Sequence, residues 1–182
     1  MRAVVVYESM YGNTRVVAEA IAEGLARTCD VDVRPVADTE ADVVRDVDLL
    51  VVGGPTHVHA MSRPSTRHSA AHDIERKGRG DLVLEPGAEG TGLREWFDGL
   101  GQGSALAAAF DTRIDVSAVV SGRASRGIAR LLRRHGMALV VPPESFMVSK
   151  TSHLLPGERK RAVDWGLLVG DAAVISGPVA AG

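Results

Sequence analysis

Val4-Val5-Val6-Tyr7-Glu8-Ser9-Met10-Tyr11-Gly12-Asn13-Thr14 begins as a short apolar run and ends in a small polar loop, and a helical pattern opens at about Arg15. The order strand, tight loop, helix is suited to holding a phosphate. Gly12 permits a sharp turn and close approach of the backbone. The helix that follows leaves its first N–H groups without intrahelical partners, beside the positive end of its dipole, so an anion placed there meets donors already in position. Ser9, Asn13 and Thr14 add side-chain donors, and no Lys or Arg is required. The loop lacks the Gly-Lys-Ser/Thr ending of a P-loop and the spaced glycines of a dinucleotide fingerprint. By itself it also reads as an ordinary turn in which Asn13 or Thr14 caps the helix.

Outward from this stretch, apolar runs and helical patterns alternate. Val17, Ala20, Ile21, Gly24 and Leu25 recur at helical spacing from about Asn13 to Arg27. Val31–Val36 alternates as a strand near a sheet edge. Leu49-Leu50-Val51-Val52 is continuously apolar, as a strand buried on both faces requires, and Gly53-Gly54-Pro55 is expected to stop it. Ala107–Phe110 and Ala138–Val141 read as a fourth and a fifth strand, with Ile128, Leu131 and Leu132 on a helix between them. A last helix is expected after Pro156-Gly157, running through Trp165 toward Val174. Such alternation predicts an α/β fold with right-handed crossovers, helices on both faces of a parallel sheet, and a ligand beyond the carboxyl ends of the strands. Three loops meet there: Glu8 to Thr14, Gly53 to Arg67, and Thr112 to Arg126.

Composition limits the function classes. The 182 residues suffice for one domain with a substantial core, and the net charge of −2 provides no overall basic surface for nucleic acid. No apolar stretch is long enough to span a membrane, and Met1-Arg2 leads directly into the first strand, so a cytoplasmic protein without membrane insertion is expected. Cys29 stands alone, which excludes an intramolecular disulfide and a cysteine-rich metal site. Only three of the 21 basic residues are lysines, and this bias carries no functional reading.

The loop Glu8-Ser9-Met10-Tyr11-Gly12-Asn13-Thr14, the segment Gly53-Gly54-Pro55-Thr56 with Met61-Ser62-Arg63 behind it, and the runs Ala109-Phe110-Asp111-Thr112 and Val141-Pro142-Pro143-Glu144-Ser145-Phe146 together resemble the flavodoxin-like family. The second segment is also similar to that of tryptophan-repressor-binding-protein-type quinone reductases. The resemblance covers nearly the whole chain. It implies a flavodoxin-like three-layer sandwich with a five-stranded parallel sheet of order 2-1-3-4-5, and bound FMN. Carried over residue by residue, it places Ser9, Met10, Tyr11, Gly12, Asn13 and Thr14 at the FMN phosphate. Pro55, Thr56, His57, Val58 and His59 would lie along the isoalloxazine ring, and Ser121, Gly122, Arg123, Ala124 and Ser125 would approach its polar edge. It assigns no catalytic residue, since the flavin carries the chemistry.

One departure bears on function. Flavodoxins commonly enclose the ring between aromatic side chains, whereas neither the second nor the third loop here contains Trp, Tyr or Phe. Electron-rich faces disfavour added negative charge on a flavin, so weaker binding and a less extreme potential are expected, unless His57, His59 or a neighbouring subunit covers the ring. The resemblance therefore implies an FMN-dependent redox protein, a carrier or an oxidoreductase that takes hydride from NAD(P)H and reduces a quinone-like acceptor, with an oligomeric site compatible. A flavin-poor regulatory or interaction domain and a protoporphyrinogen-oxidase-like enzyme stand as alternatives.

The remaining features have simpler readings. The region from about Ser65 to Gly92 is rich in charge and glycine and is expected to be a mobile insertion beside the second loop, with a short helix within Arg67–Arg79. His57 with His59, and His68 with His72, lack further ligands at metal-binding spacing. Arg126, Arg130 and Arg133 share one helix face, read as solvated or as a contact for acidic groups. Glu144 and Ser145 have no positioned His, so a hydrolase triad is not supported.

Overall fold

The computed structural model describes residues 1–57, 60–69, 82–117 and 121–177. Strand β1 (Arg2–Tyr7) leads into helix α1 (Asn13–Leu25), followed by β2 (Asp30–Pro35), β3 (Leu49–His57), β4 (Ala60–Met61), α2 (Leu93–Gly99), β5 (Leu106–Ile114), α3 (Ala124–Arg134), β6 (Ala138–Leu139), β7 (Glu144–Val148) and α4 (Glu158–Ser176). The parallel order is β2-β1-β3-β5, with β6 along the first half of β5 and β7 along its second half. Counting β6 and β7 as one interrupted edge strand gives the expected 2-1-3-4-5 topology. The interruption falls at Val140–Pro143, where two successive prolines cannot donate to a ladder. The two-residue β4 folds back antiparallel on the end of β3.

β3 does not stop at Gly53, because its glycines serve packing rather than a turn. A Cβ on Gly53 would lie 2.2 Å from the Phe110 ring, and one on Gly54 2.8 Å from Leu93. The strand continues in register, with Pro55 opposite Thr112. β1 and the first halves of β3 and β5 are apolar on both faces, as central parallel strands must be, and β2 lies at the edge.

Two cores cover the sheet. On one face Val17, Ile21, Leu25, Ala162, Trp165 and Val169 from α1 and α4 pack over Val5, Val51 and Phe110. Trp165, Phe110 and Phe146 form edge-to-face pairs there, with centroids 6.1–6.3 Å apart. On the other face α2 and α3 set Trp96, Phe97, Ile128 and Leu132 over Val4, Val52 and Ala109.

In the region read as an insertion, residues 64–69 are helical and residues 70–81 lie outside the described residues. Leu82 and Ala88 are buried, and the Glu85 N–H donates to the Met10 carbonyl at 2.9 Å, so this portion docks on the first loop.

Candidate functional site

At the carboxyl ends of β1, β3 and β5 lies a cleft of about 250 Å³. The first loop contributes Met10, Tyr11, Asn13 and Thr14, β3 contributes Pro55, Thr56 and His57, and β5 contributes Thr112, Arg113 and Ile114. Val148 and Ser152 close the side beyond β7. The site occupies the point where strand order reverses between β1 and β3, as the topology requires.

The first loop is built by its own bonds. Gly12 takes φ +85°, a left-handed conformation that a side chain would strain, and precedes the helix as its N-cap. Its N–H donates to Ser9 Oγ at 3.1 Å. Asn13 Nδ2 donates to the Ser152 carbonyl at 2.7 Å, tying the helix start to the loop after β7. Thr14 Oγ1 pairs with Thr112 Oγ1 at 2.8 Å inside the structure. One hydroxyl proton serves that bond, leaving the other to turn toward a ligand. Beside the loop, Glu85 Oε1 lies 3.2 Å from where a Gly12 Cβ would stand, and Arg15 Nε holds Glu85 Oε2 at 3.0 Å.

His57 ends β3. Burial pushes its imidazole below the usual range, the nearby Glu8 carboxylate opposes this, and the Arg67 cation adds to it. His57 is therefore neutral at pH 7. Val58 and His59 lie outside the described residues.

The third-loop residues are placed differently from one another. Ala124 and Ser125 begin α3 and are fully buried. The Ala124 N–H donates to Thr56 Oγ1 at 3.0 Å and the Ser125 N–H to Asp111 Oδ2 at 2.7 Å. Arg123 Nε donates to Ser145 Oγ at 3.1 Å. Ser121 Oγ accepts from Arg113 Nη1 at 3.0 Å, and Gly122 turns the chain at φ +74°. None of these five lines the cleft, in contrast to Thr14, Thr56 and His57.

Sequence reasoning passed over four buried ionisable groups at the same end of the sheet: Glu8, Arg67, Asp111 and Arg113. Glu8 Oε2 accepts the Leu93 N–H at 2.9 Å. Arg67 donates to Ser62 Oγ at 3.0 Å and to Glu95 Oε2 at 3.1 Å. Gly92 threads between Glu8 and Arg67, where a Cβ would fall 2.3 Å from Arg67 Nη1. Asp111 is fully buried, and burial pushes its carboxyl up against the opposing effect of the Ser125 N–H and the hydroxyls of Ser145, Ser125 and Thr56. A signal for two of them was available: alternation through Ala107, Ala109, Asp111 and Arg113 puts all four on one face.

Among the described residues no group of three His, Cys, Asp or Glu could hold a metal ion, and no helix is long and apolar enough to cross a membrane. Arg126, Arg130 and Arg133 are exposed. Glu144 pairs with Arg161 and Ser145 with Arg123, so neither is poised as a hydrolytic group.

Residues 5–71 match the flavodoxin family model. No curated protein matches the chain. Among solved structures it is similar to a flavodoxin from the domain Archaea, at 20% identity over 96% of this chain and 99% of that one, with a TM-score of 0.65. Oxidised flavodoxin 1 from Bacillus cereus gives 19% identity over 96% and 98%, with a TM-score of 0.62. A flavodoxin, WrbA-like protein from Agrobacterium tumefaciens gives 19% over 96% and 98%, with a TM-score of 0.58. With its N-terminal segment matching that family model and its architecture shared along nearly the full chain, the protein has a flavodoxin-like fold.

Proposed function

We propose that the protein binds FMN in this cleft and works as a redox protein, passing electrons to a quinone-like acceptor, with NAD(P)H or a protein partner as donor. The observation that carries the reading is the cleft itself: the start of α1 and the Thr14–Thr112 pair at one end, Pro55, Thr56 and His57 along one wall, and no Asp, Glu or Lys among its lining residues. These residues fit the cofactor. The N-terminus of α1 supplies donors and a positive dipole for a phosphate, and the Thr14 and Thr112 hydroxyls stand next to it. Arg113 brings a buried guanidinium whose Nε lacks an acceptor. FMN, when bound, supplies the hydride and electron chemistry, so the chain needs only to bind, orient and tune. Pro55 stiffens the ring-side wall, and neutral His57 offers a ring nitrogen as donor or acceptor without adding charge.

Titration of the purified chain with FMN, followed by flavin fluorescence, tests this. Saturable binding is expected. Thr14→Ala should weaken FMN binding by about tenfold, the loss of one hydrogen bond to a charged group, while leaving riboflavin binding unchanged. The absence of saturable binding by the unmodified chain overturns the reading. A second reading, a flavin-poor interaction domain, is favoured by one observation: the Glu85 carboxylate stands against Gly12, where an anion would approach.

A further inference from the structure

Arg113 is a buried cation without a counter-ion among the described residues. It is 9% exposed, at the carboxyl end of β5. Nη1 donates to the Val116 carbonyl at 2.6 Å, to Ser121 Oγ at 3.0 Å and to the Ile114 carbonyl at 3.4 Å, all of them neutral acceptors. Nε is buried with no acceptor. No ion pair to Arg113 is present among the described residues, whereas the more deeply buried Arg67 holds Glu95 at 3.1 Å. A guanidinium cannot shed its proton to escape burial, and an uncompensated buried charge costs several kcal/mol. Such a group at a ligand cleft asks for negative charge from the ligand.

The surroundings leave that demand unmet. The cleft is lined by no carboxylate and by no cation other than Arg113. Asp111, two residues back on the same strand face, is turned into the start of α3, where burial favours its neutral form. His57 on the facing wall is neutral, and Glu8 is committed to the Leu93 N–H. Arg123, the nearest cation on α3's approach, is spent on Ser145 Oγ.

We propose that Arg113 sets the reduction potential of a flavin held in this cleft, its guanidinium offsetting the single negative charge left on the ring when two electrons and one proton are added. This inference rests on the FMN reading above. It places a cation where the second and third loops bring no Trp, Tyr or Phe, and it acts in the opposite direction to such rings, since aromatic faces disfavour that charge and a cation favours it.

The experiment uses the full chain with FMN. Dissociation constants for oxidised FMN and the two-electron midpoint potential are measured for the unmodified protein, Arg113→Gln, Arg113→Lys and Ser121→Ala, with folding checked by circular dichroism. Arg113→Gln should weaken the binding of reduced FMN at least tenfold more than that of oxidised FMN, which lowers the midpoint by about 30 mV or more. Arg113→Lys keeps the charge and should hold the potential within a threefold affinity ratio. Ser121→Ala, which removes a partner of Arg113 without removing charge, should do the same. If Arg113→Gln does not fold, a fall of tenfold or more in the affinity for reduced relative to oxidised FMN in Arg113→Lys overturns the proposal. Equal weakening of both oxidation states in Arg113→Gln also overturns it, as does an unmoved potential. Absence of FMN binding by the unmodified chain sinks the flavin reading and this inference with it, whereas binding with an unmoved potential sinks the inference alone.

Discussion

The two faces of the sheet are built on opposite terms. Over the α1 and α4 face the packing is dry and so close that backbones touch: a Cβ on Gly24 would stand 2.2 Å from the Val163 carbonyl oxygen, and one on Gly166 2.2 Å from that of Ile21. Over the α2 and α3 face the same depth of burial encloses Glu8, Arg67, Asp111 and Arg113 near the carboxyl edge. The difference teaches how the fold divides its labour. The first face fixes where α1 begins, and so where an anion meets the helix N-terminus, by steric means alone. The second carries the charges that act on whatever lies along β3 and β5, and each charge demands a partner of its own.

The sharpest way to break the dry face is Gly166→Ala. The added methyl meets backbone rather than a flexible side chain, so α1 and α4 must part, with an expected loss of about 3 kcal/mol in urea unfolding. On the charged face Arg67→Met should cost about 2 kcal/mol, less than a fully buried pair, because the Glu95 side chain is 37% exposed and can reach water. Adding Glu95→Gln should recover part of that loss, and a double variant no better than the single one would show that the ion pair is not the cause.

The smallest effect is expected at Asp111, and it depends on pH. Its pKa in the folded protein is raised by burial above the ordinary 3.8, so its contribution to stability is complete while it is protonated and is lost as pH rises through the raised value. Asp111→Asn, whose side-chain oxygen can still accept the Ser125 N–H, should therefore be more stable than the unmodified chain at neutral pH and equal to it at about pH 3. Thermal unfolding at both pH values checks this. A variant less stable at neutral pH would mean that the charge on α3's N-terminus outweighs desolvation.

Much of the fold was legible because local rules and tertiary packing agree in it. The apolar runs at Val4–Tyr7 and Leu49–Val52 read as buried strands and are central ones, whereas the cap expected at Asn13 or Thr14 falls on Gly12, with both residues inside the first turn of α1. Agreement failed where packing gave a residue a second meaning. Gly53 and Gly54 read as a stop but are kept small by Phe110 and Leu93, which arrive from distant parts of the chain. The fifth strand read as Ala138–Val141 is split into β6 and β7 around Pro142-Pro143. Of the residues carried over to the ring, Pro55, Thr56 and His57 do line the cleft, while Ala124 and Ser125 are withdrawn into the start of α3 with their N–H groups taken. Arg113 stayed hidden because a lone arginine in a loop normally reaches water, and only its neighbours show that this one does not.

The order of strands and helices, the turn at Gly12 and the lack of aromatic residues in the second and third loops are written in the chain, since periodicity, φ preference and composition are local properties. Which side chains share the cleft, which N–H groups are already spent and which buried charges have partners are set by folding. Those depend on contacts between segments as far apart as Thr14 and Thr112, or Glu8 and Leu93, and no local pattern in the chain encodes them.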